Sequence, residues 1–410
     1  MKKGLQWLAL YSVLGLFTAA HAAPPIDPNL PDWLKKELRK ETKVRGSKAL
    51  EFDDMAIKLQ SPGRLDSQPE KEGDFWFWTI KVRKTDPMQC WVSTIELDPA
   101  AFTMGIADNL IGMLAEVNGP EVQRSIYQVD VSHNEGTPIY HLDWLPMFKS
   151  DNGSVAGMVK VRTAQWPGAT LTCAHAVLGY FDTFDTAFAD MVASAQVPQT
   201  LDAYYNSLHT VSFGGQKVGF ATLYLDKDAD GDSRLTNLMS MMIPVDNKTI
   251  AYSDIYRINW STPAGLLINE YTVTSENGQV SNELNLNWKD GGWQVEGTFQ
   301  GKALKTTLPE QSNVWSDLGQ MQHMKEQGAA GAFESTTYPM WSPDIDPTTF
   351  TQVKLEPKGE GVAMTIGPIV TDATVSAEGG LQRGDTDMGG TSMVLDMVYE
   401  RGAVPLPPAE

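Results

Sequence analysis

The sequence predicts an α+β protein with two main parts, an N-terminal α+β domain and a large, curved, mostly antiparallel β-sheet domain carrying one packed helix. The first half alternates strand-like and helical stretches, and the second half repeats strand-like runs separated by Gly and Asp turn signals. The boundary between the two parts is expected at 194–205, a segment that contains Pro198. We therefore expect domains over 50–195 and 205–402, after a basic helix or linker over 24–48 and before a Pro-rich tail over 403–410.

The first domain begins with a predicted hairpin. Residues 74–83 (DFWFWTIKVR) and 88–97 (MQCWVSTIEL) are rich in aromatic and β-branched residues, and "KTDP" separates them. Asp98 and Pro99 suit the N-cap and first turn of a helix. The apolar residues that follow repeat at helical spacing, which supports this helix: Phe102, Ile106, Leu110, Leu114 and Val117. The remaining predicted elements are strands at 123–131, 138–148, 155–164 and 169–178 and a helix at 183–195.

Both cysteines of the chain, Cys90 and Cys173, fall in predicted strands of this domain. An even pair of cysteines in an exported protein usually forms a disulfide. We expect a cross-sheet disulfide, contributing about 4–5 kcal/mol to the free energy of unfolding if its effect is to restrict the unfolded chain.

Strand-like runs dominate the second domain, and one helix, near 313–327, interrupts them. The order of its segments resembles exported bacterial β-domains of uncharacterised families, some of which lie beside transglutaminase-like enzymes. The segments are "GGQKVGFATLYLD", a meander of strands, "WKDGGWQVEG", the helix, and "TVSAEGGLQRGDTDMGG". Such domains share the broad shape of the lipoprotein-carrier sheet. The resemblance covers about half of the chain and implies a non-catalytic, concave sheet that holds an apolar ligand, a peptide or another domain. It carries no functional residue over to this chain.

The N-terminus has the layout of a secretory signal peptide over 1–22, because Lys2 and Lys3 precede a short apolar run and small residues at Ala20 and Ala22. This predicts export to the periplasm of a Gram-negative bacterium, or secretion. No later stretch of the sequence is long and apolar enough to predict a transmembrane segment. The formal net charge of −19 argues against a nucleic-acid partner.

The segment 33–48 is an exception to this acidity, since it carries seven basic residues and two acidic ones. Leu30, Leu34 and Leu38 lie four residues apart, so a short amphipathic helix is expected. It would either contact a membrane surface or acidic partner, or pack on its own domain, and the short apolar stripe favours packing.

The segment "LDKDADGDSR" places Asp226, Asp228, Asp230 and Asp232 at the spacing of a calcium loop. Arg234 and Asn237 occupy positions where an EF-hand has ligands, and strands rather than helices flank the segment. The pattern therefore favours a polar hairpin tip. A looser calcium site that stabilises the protein is the alternative.

Cys173 and His175 are the only local pattern that suggests catalysis. Residues two apart on a strand share a face, so a cysteine nucleophile beside its base is conceivable. A disulfide would consume that thiol. A cell-envelope hydrolase built on these two residues is thus the alternative to a non-catalytic protein.

Aromatic and methionine residues supply a possible ligand surface. The tryptophans are consistent with an aromatic platform for a sugar or apolar ligand, or with the core of the sheet. The core is favoured. The methionines Met239, Met241, Met242, Met321 and Met324 suit a core or the lining of an apolar pocket. The candidate ligand-lining residues are Met241, Trp260, Trp288, Trp293 and Trp315.

These observations lead to one main functional hypothesis. We expect an exported binding or scaffold protein, without catalytic activity or resident cofactor, that holds an apolar ligand, a peptide or an envelope protein on a curved β-sheet. The envelope hydrolase and the calcium-stabilised protein are its alternatives.

Overall fold

The computed structural model describes residues 30–52, 54–83, 85–94, 98–151, 153–197, 203–331 and 333–407. The predicted signal peptide, Pro198 and residues 408–410 of the tail lie outside these ranges. The chain divides into two compact units, and we describe each by itself. Unit 1 comprises Met1–Leu201 and Met242–Ala251, and unit 2 comprises Asp202–Met241 and Tyr252–Glu410.

Unit 1 contains a two-stranded sheet, β1-β2, and an eight-stranded sheet. The order in the larger sheet is β3-β4-β5-β10-β9-β7-β6, with β8 paired to β7. The strands are β1 (Ser47–Phe52), β2 (Ile57–Pro62), β3 (Arg64–Glu72), β4 (Phe75–Lys81), β5 (Met88–Ser93), β6 (Glu121–Asn134), β7 (Thr137–Ser150), β8 (Gly153–Ala156), β9 (Val159–Trp166) and β10 (Ala169–His175). The helices are α1 (Asp32–Leu38), α2 (Pro99–Asn118) and α3 (Phe181–Ser194). The predicted hairpin is therefore the antiparallel pair β4-β5.

Helices α2 and α3 cover opposite faces of the eight-stranded sheet. Side chains alternate along β9, so Arg162 and Thr163 point to opposite faces. Thr103 of α2 donates a hydrogen bond of 2.7 Å to the hydroxyl of Thr163, whereas Asp185 of α3 accepts one of 2.6 Å from Arg162. All of β9 is buried, as expected for a strand covered on both faces.

The predicted helix after Asp98 is α2, but its large apolar residues do not form its buried face. Leu110 is buried, whereas Val117 is 83% exposed, and Phe102, Ile106 and Leu114 are only partly buried. The buried residues are Pro99, Ala100, Thr103, Met104, Ala107, Leu110 and Ile111. Small side chains on this face let the helix lie close to the sheet, and the larger apolar residues flank the contact.

Among the described residues, α2 is the one helix whose length and composition would allow it to cross a membrane. A third of its apolar 18-residue stretch is buried, and the helix packs on β7, β9 and β10. Core helices of soluble proteins share this composition, so the feature does not by itself indicate a membrane span.

Helix α1 is shorter than the basic segment that predicted it. It ends at Leu38, and β1 already begins at Ser47. Leu34 and Leu38 are buried in a cluster with Met158 and Phe181. The apolar stripe of the helix therefore packs on the unit to which it belongs.

Unit 2 is built on a 14-stranded sheet in the order β18-β17-β16-β15-β14-β13-β12-β11-β24-β23-β22-β21-β20-β19. The strands are β11 (Tyr205–Phe213), β12 (Gln216–Lys227), β13 (Ser233–Pro244), β14 (Ile250–Ser261), β15 (Leu267–Glu276), β16 (Gln279–Lys289), β17 (Gly292–Phe299), β18 (Lys302–Thr307), β19 (Thr336–Trp341), β20 (Phe350–Lys358), β21 (Gly361–Ile366), β22 (Ile369–Val375), β23 (Leu381–Asp387) and β24 (Ser392–Gly402). Its helix is α4 (Asp317–Ala330). The predicted α+β class with mostly antiparallel sheets is confirmed.

The 14-stranded sheet is strongly curved, and its edge strand β19 lies close to β14 and β15 as a result. Trp315 forms isolated bridges with Leu266, just before β15, and with Met340 of β19. Arg257 of β14 donates a hydrogen bond of 2.8 Å to the carbonyl of Trp341 in β19. Strands far apart in the sheet order therefore lie near one another, with α4 against their inner side.

Candidate functional site

A cavity of about 170 Å³ lies between α4 and the inner side of the unit 2 sheet. Met321 and Met324 project into it from α4. Strands from both halves of the sheet supply the facing wall. Its main apolar lining residues are Ala221, Leu223, Met321, Met324, Met364 and Leu395. The cavity is therefore a mainly apolar space under a single helix.

Three of the polar side chains that line this cavity, His209, Gln320 and Asp317, bond to other protein groups. The Nε2–H of His209 donates to the carbonyl of Leu381 at 2.5 Å, and burial lowers the pKa of His209. Gln320 accepts a hydrogen bond of 2.8 Å from the hydroxyl of Tyr338. An occupant would therefore meet mostly apolar surface, with few polar groups left to orient it.

A close approach between two glycines positions α4 on the sheet. A Cβ added to Gly319 would lie 2.5 Å from the carbonyl oxygen of Gly265, and Gly265 itself has a φ of +75°. The N-cap Ser316 donates to the same carbonyl at 3.0 Å and accepts from the Gly319 N–H. Only glycine allows this separation, so the height of the helix above the cavity is set here.

The first residue of α4, Asp317, joins a charge cluster in which Glu270 is buried and the other charged side chains are partly buried. Asn259 of β14 donates to its carboxylate at 2.7 Å, and Arg257 lies 3.9 Å away. Arg257 also donates to Glu270 of β15 at 2.5 Å. Burial raises the pKa of Glu270 to about 7 even though Arg257 opposes the shift. This cluster ties the start of the helix to two strands.

A second, more open cleft of about 330 Å³ lies at the turn between β16 and β17. Trp288 and Trp293 face each other across the strand pair with ring centroids 5.4 Å apart. Trp293 is buried against Phe350, whereas Trp288 is 52% exposed. The other lining residues are Leu266, Leu267, Ile268, Gln311, Asn313 and Val314.

The five predicted ligand-lining residues are thus divided. Trp288 and Trp293 line the open cleft, but Met241, Trp260 and Trp315 line neither of the two cavities described above. Trp315 instead stacks on Tyr338, with ring centroids 4.1 Å apart.

The acidic segment forms the hairpin tip between β12 and β13. Arg234 pairs with the carboxylate of Asp226 through two hydrogen bonds of 2.9 and 2.6 Å. Asp228 accepts from the backbone N–H groups of Asp230 and Asp232, both at 3.0 Å. Within the described ranges, no group of three or more His, Cys, Asp and Glu side chains is arranged to hold a metal ion.

Cys90 and Cys173 form the predicted disulfide as directly opposed residues of β5 and β10, and both are buried. Cys173 therefore has no thiolate to offer. Burial lowers the pKa of His175 to about 3, so this imidazole is neutral, and its Nε2 lies 3.2 Å from the carbonyl oxygen of Asp86. The hydrolase hypothesis based on these residues has no nucleophile in this structure.

A second charge cluster lies on the face of the eight-stranded sheet that carries Cys173 and His175. The sequence did not reveal it. Arg162 pairs with Asp143 at 2.6 Å and with Asp185 at 2.6 Å. Lys160 donates to the carbonyls of Val177 and Gly179, the latter at 2.7 Å. Burial lowers the pKa of Lys160 to about 7. The partners of Arg162 and Lys160 come from one strand, one loop and one helix, so no local motif marks them.

No family profile matches this chain, and no curated protein matches it. Among solved structures, it is similar to a β-barrel-like protein of a domain of unknown function, DUF1849, from Brucella abortus. That match has a TM-score of 0.37 and 10% identity, and it covers 49% of this chain and 98% of the other. The PsbP protein of the cyanobacterium Synechocystis matches with a TM-score of 0.26 and 10% identity, covering 38% of this chain and 96% of the other. Likeness this weak does not bear on function, and the lipoprotein-carrier resemblance stays a prediction.

Proposed function

We propose that this chain is an exported binding protein that holds a small apolar ligand in the cavity between α4 and the sheet of unit 2. The observation that carries the proposal is the composition of this cavity, in which methionine, leucine and alanine side chains face one another while His209 and Gln320 bond to protein. Apolar surface of this kind favours an apolar occupant, because binding removes that surface from water. The lysine-led N-terminal segment supports a periplasmic location.

The size of the cavity favours one of the three ligand classes that the sequence leaves open. Pockets for drug-sized ligands have volumes of about 300–1,000 Å³, whereas an engineered apolar cavity of about 150 Å³ binds benzene. A cavity of about 170 Å³ therefore suits a small apolar molecule or the end of an apolar chain. A peptide or an envelope protein would need more room.

Native mass spectrometry of the full chain, purified without detergent from the periplasm, tests this proposal. Ala221 lines the cavity, so Ala221→Leu fills part of it. Ala363 is the neighbour of Met364 in β21, and its side chain points to the opposite face of the sheet. Ala363→Leu is therefore the matched control. We expect an apolar adduct on the unmodified chain and on Ala363→Leu but not on Ala221→Leu. An adduct retained by Ala221→Leu would place the ligand elsewhere, and a bare mass in all three would contradict the proposal.

A further inference from the structure

Three side chains of unit 1 that the ligand-binding proposal does not use lie in a row. The Oγ of Ser132 on β6 is 2.6 Å from the Nε2 of His141 on β7. The Nδ1 of the same imidazole is 3.9 Å from an Oδ1 of Asp185 on α3. A hydroxyl, an imidazole and a carboxylate in this order are the components of a serine nucleophile with its base and orienting acid.

The sheet register explains why these residues meet. Asp130 of β6 is directly opposite His141 of β7. Ser132 is two residues further along β6, so its side chain shares the face of the imidazole. Arg162 of β9 is opposite His141 on its other side, and α3 covers this face with Asp185. Two strand pairings and one helix contact thus build the row.

The electrostatics keep the acid charged. Burial opposes ionisation of Asp185, but the positive charge of Arg162, 2.6 Å away, outweighs burial and lowers the pKa of Asp185. A carboxylate facing Nδ1 of His141 favours the tautomer that carries its proton on Nδ1. Nε2 is then left with a lone pair toward the hydroxyl of Ser132, which is the arrangement a general base requires. The 3.9 Å separation is longer than a hydrogen bond, and such contacts often shorten only when substrate binds.

The position of the row permits access from solvent. Strand β6 is an edge strand of the eight-stranded sheet. Ser132 is partly exposed, and the side chain of Asp185 is 37% exposed. This differs from Cys173, which is buried in the same sheet and bonded to Cys90.

We propose that Ser132 is a nucleophile for carboxylic esters, with His141 as its general base and Asp185 as the residue that positions His141. The Oγ of Ser132 forms a bond to the carbonyl carbon while its proton passes to Nε2 of His141. The alcohol departs with that proton as its bond to the carbonyl carbon breaks, leaving an acyl group on Ser132. Water, deprotonated by His141, then releases the carboxylic acid, and the proton returns to Ser132.

Labelling of the full chain with a fluorophosphonate probe tests this site, and mass spectrometry of the peptides identifies the modified residue. We expect label on Ser132, none on Ser132→Ala, and a labelling rate about 100-fold or more lower for His141→Gln. Ser125→Ala, on the same strand, is the matched control and retains full labelling. The rate should also fall at acid pH as the imidazole becomes protonated, which a merely structural histidine would not cause.

Further measurements distinguish loss of the active residue from misfolding of the variant. Each variant is compared with the unmodified chain by circular dichroism and thermal unfolding. Hydrolysis of p-nitrophenyl acetate should be lost with Ser132→Ala and reduced with Asp185→Asn. Absence of label from the folded, unmodified chain, or equal labelling of folded His141→Gln, would overturn the proposal. Either result leaves ligand binding in unit 2 untouched, because the two sites share no residue.

Discussion

Asn259 of β14 donates a hydrogen bond of 2.7 Å to Asp317, the first residue of α4. The bond joins the helix above the unit 2 cavity to the sheet below it. Asp317 also lines the cavity, and Asn259 is fully buried. The stability of α4 on the sheet and the shape of the cavity therefore depend on the same pair.

The first prediction concerns this pair. Asp317→Ala should lower the free energy of unfolding by about 1–3 kcal/mol, because it leaves the buried Nδ2 of Asn259 without its acceptor. Urea denaturation measures the change. Glu326→Ala, at an exposed position of the same helix, is the control and should change stability by less than about 0.5 kcal/mol. Equal effects of the two substitutions would show that the pair does not hold the helix.

Glu270 should make stability depend on pH between about 4.5 and 7. Burial raises its pKa from 4.5 to about 7, so the folded chain binds this proton more tightly than the unfolded chain. The contribution of Glu270 to the free energy of unfolding is therefore greatest at pH 4.5 and falls as the pH rises to 7. Glu270→Gln should remove this fall, as measured by urea denaturation at several pH values. A slope that is unchanged in Glu270→Gln would assign the pH dependence to other groups.

Lys160 should have the opposite effect in a higher range of pH. Burial lowers its pKa from 10.5 to about 7, so between these values the unfolded chain binds the proton more tightly. Its contribution to the free energy of unfolding therefore rises from pH 7 to pH 10.5 and is lost as the pH falls back to 7. Lys160→Met keeps the aliphatic chain and should flatten this rise. The measurement compares how steeply the free energy of unfolding changes with pH in the two proteins. The loss of hydrogen bonds to Val177 and Gly179 lowers stability at every pH and does not change that slope.

The disulfide should stabilise unit 1 substantially. Cys90 and Cys173 are separated by 83 residues, and linking them reduces the freedom of the unfolded chain. Replacing both with alanine should lower the free energy of unfolding by about 4 kcal/mol. Because both sulfurs are buried, a reductant should open the bond in urea much faster than in the native state. Fast reduction without urea would contradict the buried position.

Much of the fold was predictable because its signals are local. The aromatic and β-branched residues around "KTDP" predicted the β4-β5 hairpin, and Asp98 with Pro99 predicted the start of α2. The spacing of large apolar residues predicted the helix but does not give its buried face. In this helix, small residues such as Ala100 and Ala107 make the closest contact with the sheet.

The candidate sites could not be predicted in the same way, because distant strands build them. Pairing of β11 with β24 puts Tyr205 opposite Gly402, which brings residues from both ends of unit 2 to one cavity. The methionines of α4 were the one usable signal, and their pocket-lining interpretation agrees with Met321 and Met324 in the cavity wall. Ser132 and His141 are nine residues apart on two strands and match no motif, so only the register joins them.

A crystal structure of the full chain grown with saturating toluene tests whether the unit 2 cavity binds apolar molecules. We expect a toluene molecule between α4 and the sheet, in contact with Met321 and Leu395, since the cavity is apolar and of suitable size. Ala363→Leu should bind toluene in the same place, and Ala221→Leu should not. Ordered water in the cavity of the unmodified chain, with no toluene, would contradict an apolar binding site.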